Sequence, residues 1–281
     1  MRPHRLAFEF GMGHGKHEPL PAGEWLKRLL TQVMDQAVAD GQIPAAKPEE
    51  AVHRLRRRLK KLDALLRLGR ECIPATAWRR LHRHAKNAKN ACATQRDATV
   101  VAALVGCIAE EDQLALPAMP KSSGKIDRAE VQRDLAVLQV DVVKLDFHEL
   151  TWDDVLCCYA HTYEIADKSR TKAEESGEAD QFHQWRKRVK RLYAQTLALS
   201  RWLRHPNRRL RKCRKLGKLL GDHHDLSLIN AEVAGVEFNE AWKGAIRRRM
   251  KKLEARAVKL AAKVFKQPVH RFARPHGLSE C

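Results

Sequence analysis

The sequence predicts an all-α protein made by tandem duplication, and three observations carry that prediction. From Glu24 to Phe265 nearly every segment shows amphipathic helical periodicity, rich in Leu, Ala, Lys, Arg and Glu and with only short β-branched runs. Two stretches, VHRLRRRLKKLDALLRL from Val52 and FHQWRKRVKRLYAQTLAL from Phe182, are the same helix written twice. His53 pairs with His183, Arg56 with Arg186 and Lys60 with Lys190, all at one constant offset. A single convincing linker, QLALPAMPKSSGKI at 113–126, lies near the midpoint and divides two halves of similar size.

In chain order, residues 1–22 read as an N-terminal arm, with Phe8 and Phe10 followed by Gly11, Gly13, Gly15, Pro19 and Pro21. The helical domain is expected over 23–266: a first half at 23–116, the linker at 117–126 and a second half at 127–266. Residues 267–281, with Pro268 and Pro275, read as a basic tail. Periodicity places helices at 24–39, 48–70, 75–93, 95–112, 127–147, 151–175, 179–204, 207–220, 222–235 and 239–265. Gly41, Pro44, Pro48, Pro74, Gly177 and Pro206 punctuate them.

The duplication reaches beyond the twin helix. RRLHRHAK at 79–86 matches RRLRKCRK at 208–215, and TQRDATVVAAL at 94–104 matches DHHDLSLINAE at 222–232, pairing Arg96-Asp97 with His224-Asp225. Three elements in one order point to a pseudo-symmetric pair of helical bundles.

Charge and composition bound the function. The chain has 54 Lys+Arg against 34 Asp+Glu, a net charge of +20 that concentrates polyanions at its surface. Its seven cysteines are scattered without C-x-x-C spacing, as buried thiols of a reducing compartment are. No apolar run reaches the length of a membrane span, and the N-terminus lacks the apolar core of a secretory signal, so a cytoplasmic protein is expected. P-loop, G-x-S-x-G and H-E-x-x-H patterns are missing, which leaves nucleophilic and nucleotide-hydrolysing chemistry without a home.

On a helical wheel, Val52, Leu55, Leu59, Leu62 and Leu66 form a buried seam, and His53, Arg56, Arg57, Lys60 and Arg67 cluster on another face. The second copy repeats this: Phe182, Trp185, Val189, Leu192 and Leu199 form the seam, opposite His183, Arg186, Lys187 and Lys190, with Arg191 at the edge. Any surface helix has a polar face, yet these two carry almost no acid; Asp63 stands alone. Like charges at i,i+4 repel, so an anion that relieves them is implied. From the second repeated element Arg80, Arg83, Lys86, Arg209, Lys212 and Lys215 join the candidate site, as do Arg96 and His224 from the third. Asp97 and Asp225 read as structural, capping a helix start or orienting a neighbouring Arg or His.

Two alternatives compete. His183, His224 and Asp225 offer ligands for a divalent ion in a metal-dependent phosphohydrolase. Arg96, however, stands opposite His224, and arginine does not ligate metal. A nucleic-acid-binding protein also fits the charge, but the basic stripes lack interleaved aromatic residues for base stacking. No cofactor or metal is expected.

At these residues the chain resembles the CHAD domain family, the conserved-histidine α-helical domains. The resemblance rests on VHRLRRRLKKLDALLRL, Arg96-Asp97, FHQWRKRVKRL and LGKLLGDHHDLSLI, and covers about residues 24–265. It implies two four-helix bundles related by pseudo-two-fold symmetry, with a basic cleft or pore between them. It also implies non-catalytic binding of inorganic polyphosphate, other polyanions including nucleic acid being possible ligands, and association with polyphosphate granules. The residues that carry it are His53, Arg56, Arg57 and Lys60, then His183, Arg186, Lys187 and Lys190, with Arg96-Asp97 and His224-Asp225. The acidic-basic strand alternation of a CYTH triphosphate tunnel domain is not seen here, so a free-standing domain is expected.

Overall fold

The computed structural model describes residues 20–44, 48–92, 94–116, 126–203, 205–232 and 240–271, with the backbone alone at 94–101 and 230–232. The expected arm at 1–19, most of the linker and the last ten residues lie outside the described residues. Among those described the chain is all helix, without strands. The elements are α1 (Ala22–Gly41), α2 (Pro48–Leu66), α3 (Ala75–Asn90), α4 (Thr94–Asp112), α5 (Arg128–Lys144), α6 (Trp152–Ser176), α7 (Ala179–Ala198), α8 (Pro206–Glu232) and α9 (Glu240–Val264). Short 3-10 turns at Arg67–Cys72 and Val269–Arg271 complete them.

Local chemistry sets the ends. Thr151 caps α6 in a capping box, accepting from the Asp154 amide while the Asp154 carboxylate accepts from the Thr151 amide. The same helix stops at Gly177, whose φ of 66° is left-handed and suits a residue without Cβ. Asp127 accepts from the Glu130 amide and starts α5. One sequence expectation is corrected: 207–220 and 222–235 are not two helices, because α8 runs without a break through Gly221. A buried glycine inside a helix costs only about 1 kcal/mol, and here it faces α7, with Arg186 Nε 3.7 Å from where a Cβ would stand.

Packing follows the seams. The seam residues of α2 and α7 are all buried. α1 packs on α2 and on α5, which lies beyond the linker and so in the expected second half, and α3 packs on α5 and α2; α7 packs on α6 and α8, and α9 on α8 and α6. Further contacts join these groups: α2 lies on α7, α4 on α8, and the 3-10 turn at Arg67–Cys72 on α6. The buried residues accordingly form one large core from α1 to the end of α9 rather than one core per half. A smaller core joins Val105 and Ile108 of α4 to Leu226 and Ile229 of α8 and to Trp242 and Ile246 of α9. Trp25, Trp152 and Trp202 meet with ring centroids 4.3–5.2 Å apart, tying α1 to the start of α6 and the end of α7. Gly23 permits a close approach here, since a Cβ on it would stand 1.9 Å from the Phe147 carbonyl oxygen.

Candidate anion-binding site

The α2–α7 contact brings the two repeated helices side by side. Gln195 of α7 donates to the Ala64 carbonyl of α2 at 2.8 Å, inside the core. Beside it Arg191 reaches Asp63 at 3.3 Å. Asp63 also holds Arg67 at 3.4 Å and His82 of α3 at 2.8 Å. Although burial pushes the Asp63 carboxyl up, the hydrogen bond from His82 and the charges of Arg67 and Arg191 outweigh it and hold it well below the usual carboxylate range.

Around this tie stand cations from three helices. Arg56 is half-buried and donates from Nη1 to the Lys89 carbonyl at 3.1 Å, at the end of α3. Its Nε is buried and has no hydrogen-bond partner in the protein. The Lys89 ammonium sits in the same crowd: burial lowers its pKa, Asp63 opposes, and Arg56, Arg191 and Lys187 lower it further. On the second copy Arg186 lies against Gly221, as Arg56 lies near the matching Cys92.

The His183 and His224 rings stack at 3.9 Å between centroids. Burial first, then Lys187, Arg186 and Lys60, against Asp180, pull His183 down to about 4. Burial, then His183, Arg186, Lys187 and His223, pull His224 down to about 3. Both are therefore neutral at pH 7: burial and the surrounding cations disfavour a further positive charge. The buried Nδ1 of His183 has no partner in the protein. The field of Lys60 at His183 places α2 and α7 charges within reach of one another.

The other expected residues divide. His53, Arg57, Lys60, Lys187 and Lys190 are exposed on the two stripes, and Arg83, Lys86 and Lys215 are exposed on α3 and α8. Arg80 is engaged, forked onto Asp141 of α5 at 2.7 and 2.5 Å. Its counterpart Arg209 hydrogen-bonds the Tyr163 hydroxyl of α6, whose pKa burial pushes up to about 12. Lys212 donates to the Lys263 carbonyl at 2.9 Å. The Arg96 and Asp97 side chains lie outside the described residues. Asp225 sits inside α8, so the expectation that it caps a helix start is corrected.

Lys89, Arg191 and Asp63 emerge as members that the repeat did not single out. Lys89 follows Lys86 by three residues on one helix face, a signal present in the sequence. Among the described residues no group of three or more His, Cys, Asp or Glu is placed to hold a metal ion.

The family model of the CHAD domain matches residues 26–234. The chain belongs to the CHAD domain family. The match spans both repeated helices, so the stacked histidines and the Arg56–Lys89 contact fall inside the CHAD domain and α9 falls outside it. A search of curated proteins and a search of solved structures found no match. No helix of the described CHAD domain is long and apolar enough to cross a membrane.

Proposed function

We infer that this CHAD domain binds inorganic polyphosphate without chemical turnover, gripping it between the basic faces of α2 and α7. In this reading α1, α2, α3 and α5 form one four-helix bundle, α6–α9 form its pseudo-two-fold mate, and the basic cleft lies where they meet. The observation that supports it best is the pair of buried, unanswered nitrogens, Arg56 Nε and His183 Nδ1, among cations that repel one another. The Arg56 Nε–H, a buried donor without a partner, costs about 1–3 kcal/mol, and phosphoryl oxygens relieve that missing bond and the repulsion.

Polyphosphate fits better than nucleic acid because stacking platforms are lacking at the cluster. Phe182 and Trp185 are buried in the seam, and the half-buried Trp78 is covered by Arg67 and Arg70 at 5.1 and 4.8 Å. A linear anion with charge on every unit and no bases asks only for cations. Attachment to polyphosphate granules in the cytoplasm follows from the same binding.

Titration with long-chain polyphosphate tests this, with duplex and single-stranded nucleic acid as competitors at equal phosphate. Affinity is expected to fall steeply with salt. Combined reversal at Arg56→Glu, Lys60→Glu, Arg186→Glu and Lys190→Glu is expected to abolish binding while circular dichroism shows unchanged helicity. Wild-type affinity in that variant, or ready displacement by nucleic acid, overturns the reading. Release of phosphate in the presence of Mn²⁺ or Mg²⁺ would instead reveal a phosphohydrolase.

A further inference from the structure

α9 lies beyond residue 234, where the family match ends, yet its solvent face is as cationic as the repeated helices. Arg248, Lys252, Arg256, Lys259 and Lys263 recur at spacings of three or four residues, which makes one stripe about 22 Å long at 1.5 Å per residue. All five are exposed, and Lys266 follows just past the helix end. Ala255 and Ala262, both exposed, lie alongside these cations. The two carboxylates of α9 stand off it: Glu240 opens the helix, and Glu254 turns to the buried His223 at 2.9 Å. Arg248 meets Asp112 at 3.6 Å and Arg256 feels the field of Asp222. Among the described residues Lys252, Lys259 and Lys263 make no ion pair.

This stripe is continuous with the site. Gly217 of α8 packs toward α7, where a Cβ would stand 3.9 Å from Lys190 Cγ. From there the outer side of α8 carries exposed Arg211, Arg214, Lys215 and Lys218. Lys212 then contacts the Lys263 carbonyl of α9. Burial lowers the Lys212 pKa, and Arg208, Arg209 and Lys263 lower it further, so the junction itself is crowded with positive charge. A polar face alone needs no ligand, but uncompensated like charges at i,i+4 oppose the helix that carries them.

We propose that α8 and α9 form a second polyanion surface, over which a long polyphosphate chain continues from the α2–α7 face, so that binding strengthens with chain length. This rests on the function proposed above. The test compares wild type with the Lys252→Gln, Lys259→Gln, Lys263→Gln, Lys266→Gln variant, keeping Arg256 beside Asp222. Each is titrated with tripolyphosphate and with long-chain polyphosphate over a salt series.

The variant is expected to bind tripolyphosphate as wild type does. Its long-chain affinity at low salt should fall at least about tenfold, and its slope of log affinity against log salt should flatten by about 2–4. An unchanged long-chain slope overturns the second surface and leaves the α2–α7 site standing. Equal losses for both ligands also overturn it, since a local track cannot weaken a ligand too short to reach it. A variant that loses duplex DNA binding but keeps long-chain polyphosphate assigns the surface to nucleic acid and overturns it as well. Failure of the wild type to bind either phosphate chain removes the proposed function and this extension together.

Discussion

The two halves carry the same repeated elements but use them differently. In the first, α3 ends at Asn90 and α4 begins at Thr94; in the second, the matching segments run together as α8. Where the first half has Asp63, which ties together Arg67, His82 and Arg191, the second has Tyr193. Where the second half stacks His183 on His224, the first has an exposed His53 and, in sequence, Arg96. The helices α5 and α9 differ most in charge. α5 has three Lys or Arg against three Asp or Glu and leaves Val137, Val140 and Val143 exposed, whereas α9 has nine basic residues against two acidic. The tie at Asp63 thus sits on α2, while the histidine pair and the outer charge sit on α7, α8 and α9.

The largest test of that division separates the two stripes. Arg56→Glu with Lys60→Glu, and Arg186→Glu with Lys190→Glu, should each weaken polyphosphate binding by about 100-fold, as loss of one or two charge-assisted contacts would. If only one pair matters, the two faces do not share one ligand. Next in size is Asp63→Asn, expected to cost roughly 2 kcal/mol of stability, less than a fully buried ion pair, because Asp63 retains some access to water. Its carboxyl pKa is depressed on folding, so its contribution is present above the unfolded value near 4 and fades as pH falls toward the folded one. Chemical denaturation of the variant and wild type should therefore converge in strong acid; a constant gap would show that Asp63 acts through packing alone.

The histidine pair gives a smaller effect with a definite sign. The folded pKa values of about 4 and 3 lie below the unfolded value near 6.5, so the unfolded chain binds more protons between them. Stability should fall as pH drops from about 6.5 toward 4. A bound polyanion favours the protonated rings, so affinity should rise severalfold over the same range with uptake of protons. Calorimetry in buffers of different ionisation enthalpy reads that uptake. His183→Gln with His224→Gln should remove it, and His53→Gln should leave it intact. Smallest is Gly221→Ala: the space beside Arg186 admits a methyl in ordinary contact, and the helix gains about 0.5–1 kcal/mol. The melting temperature should rise by about 1–3 °C; a drop would mean that Arg186 needs the glycine.

Much of this was legible in the sequence because burial follows periodicity. The seams from Val52 to Leu66 and from Phe182 to Leu199 were visible as spacing, and so were the two stripes opposite them. The expected helix break at Gly221 failed because the sequence does not show that another helix packs on that glycine. Arg80 and Arg83 look alike on α3; only a fold that brings Asp141 alongside, 61 residues later, separates them. Lys89 and Arg191 stood at the margins of the basic stripes, and their partners could not be read because each takes its role from helices distant in sequence. The neutrality of the stacked histidines depends on burial first and then on cations of α7, with Lys60 of α2 adding at His183, which no single segment displays.

Three of the six tryptophans, Trp25, Trp152 and Trp202, sit together at the joint between α1, α6 and the end of α7. Intrinsic emission from this chain is therefore weighted toward one place, and an optical unfolding curve reports chiefly on separation of the two halves. Circular dichroism reads the helices themselves. Where the two signals part, the joint has opened before the helices melt.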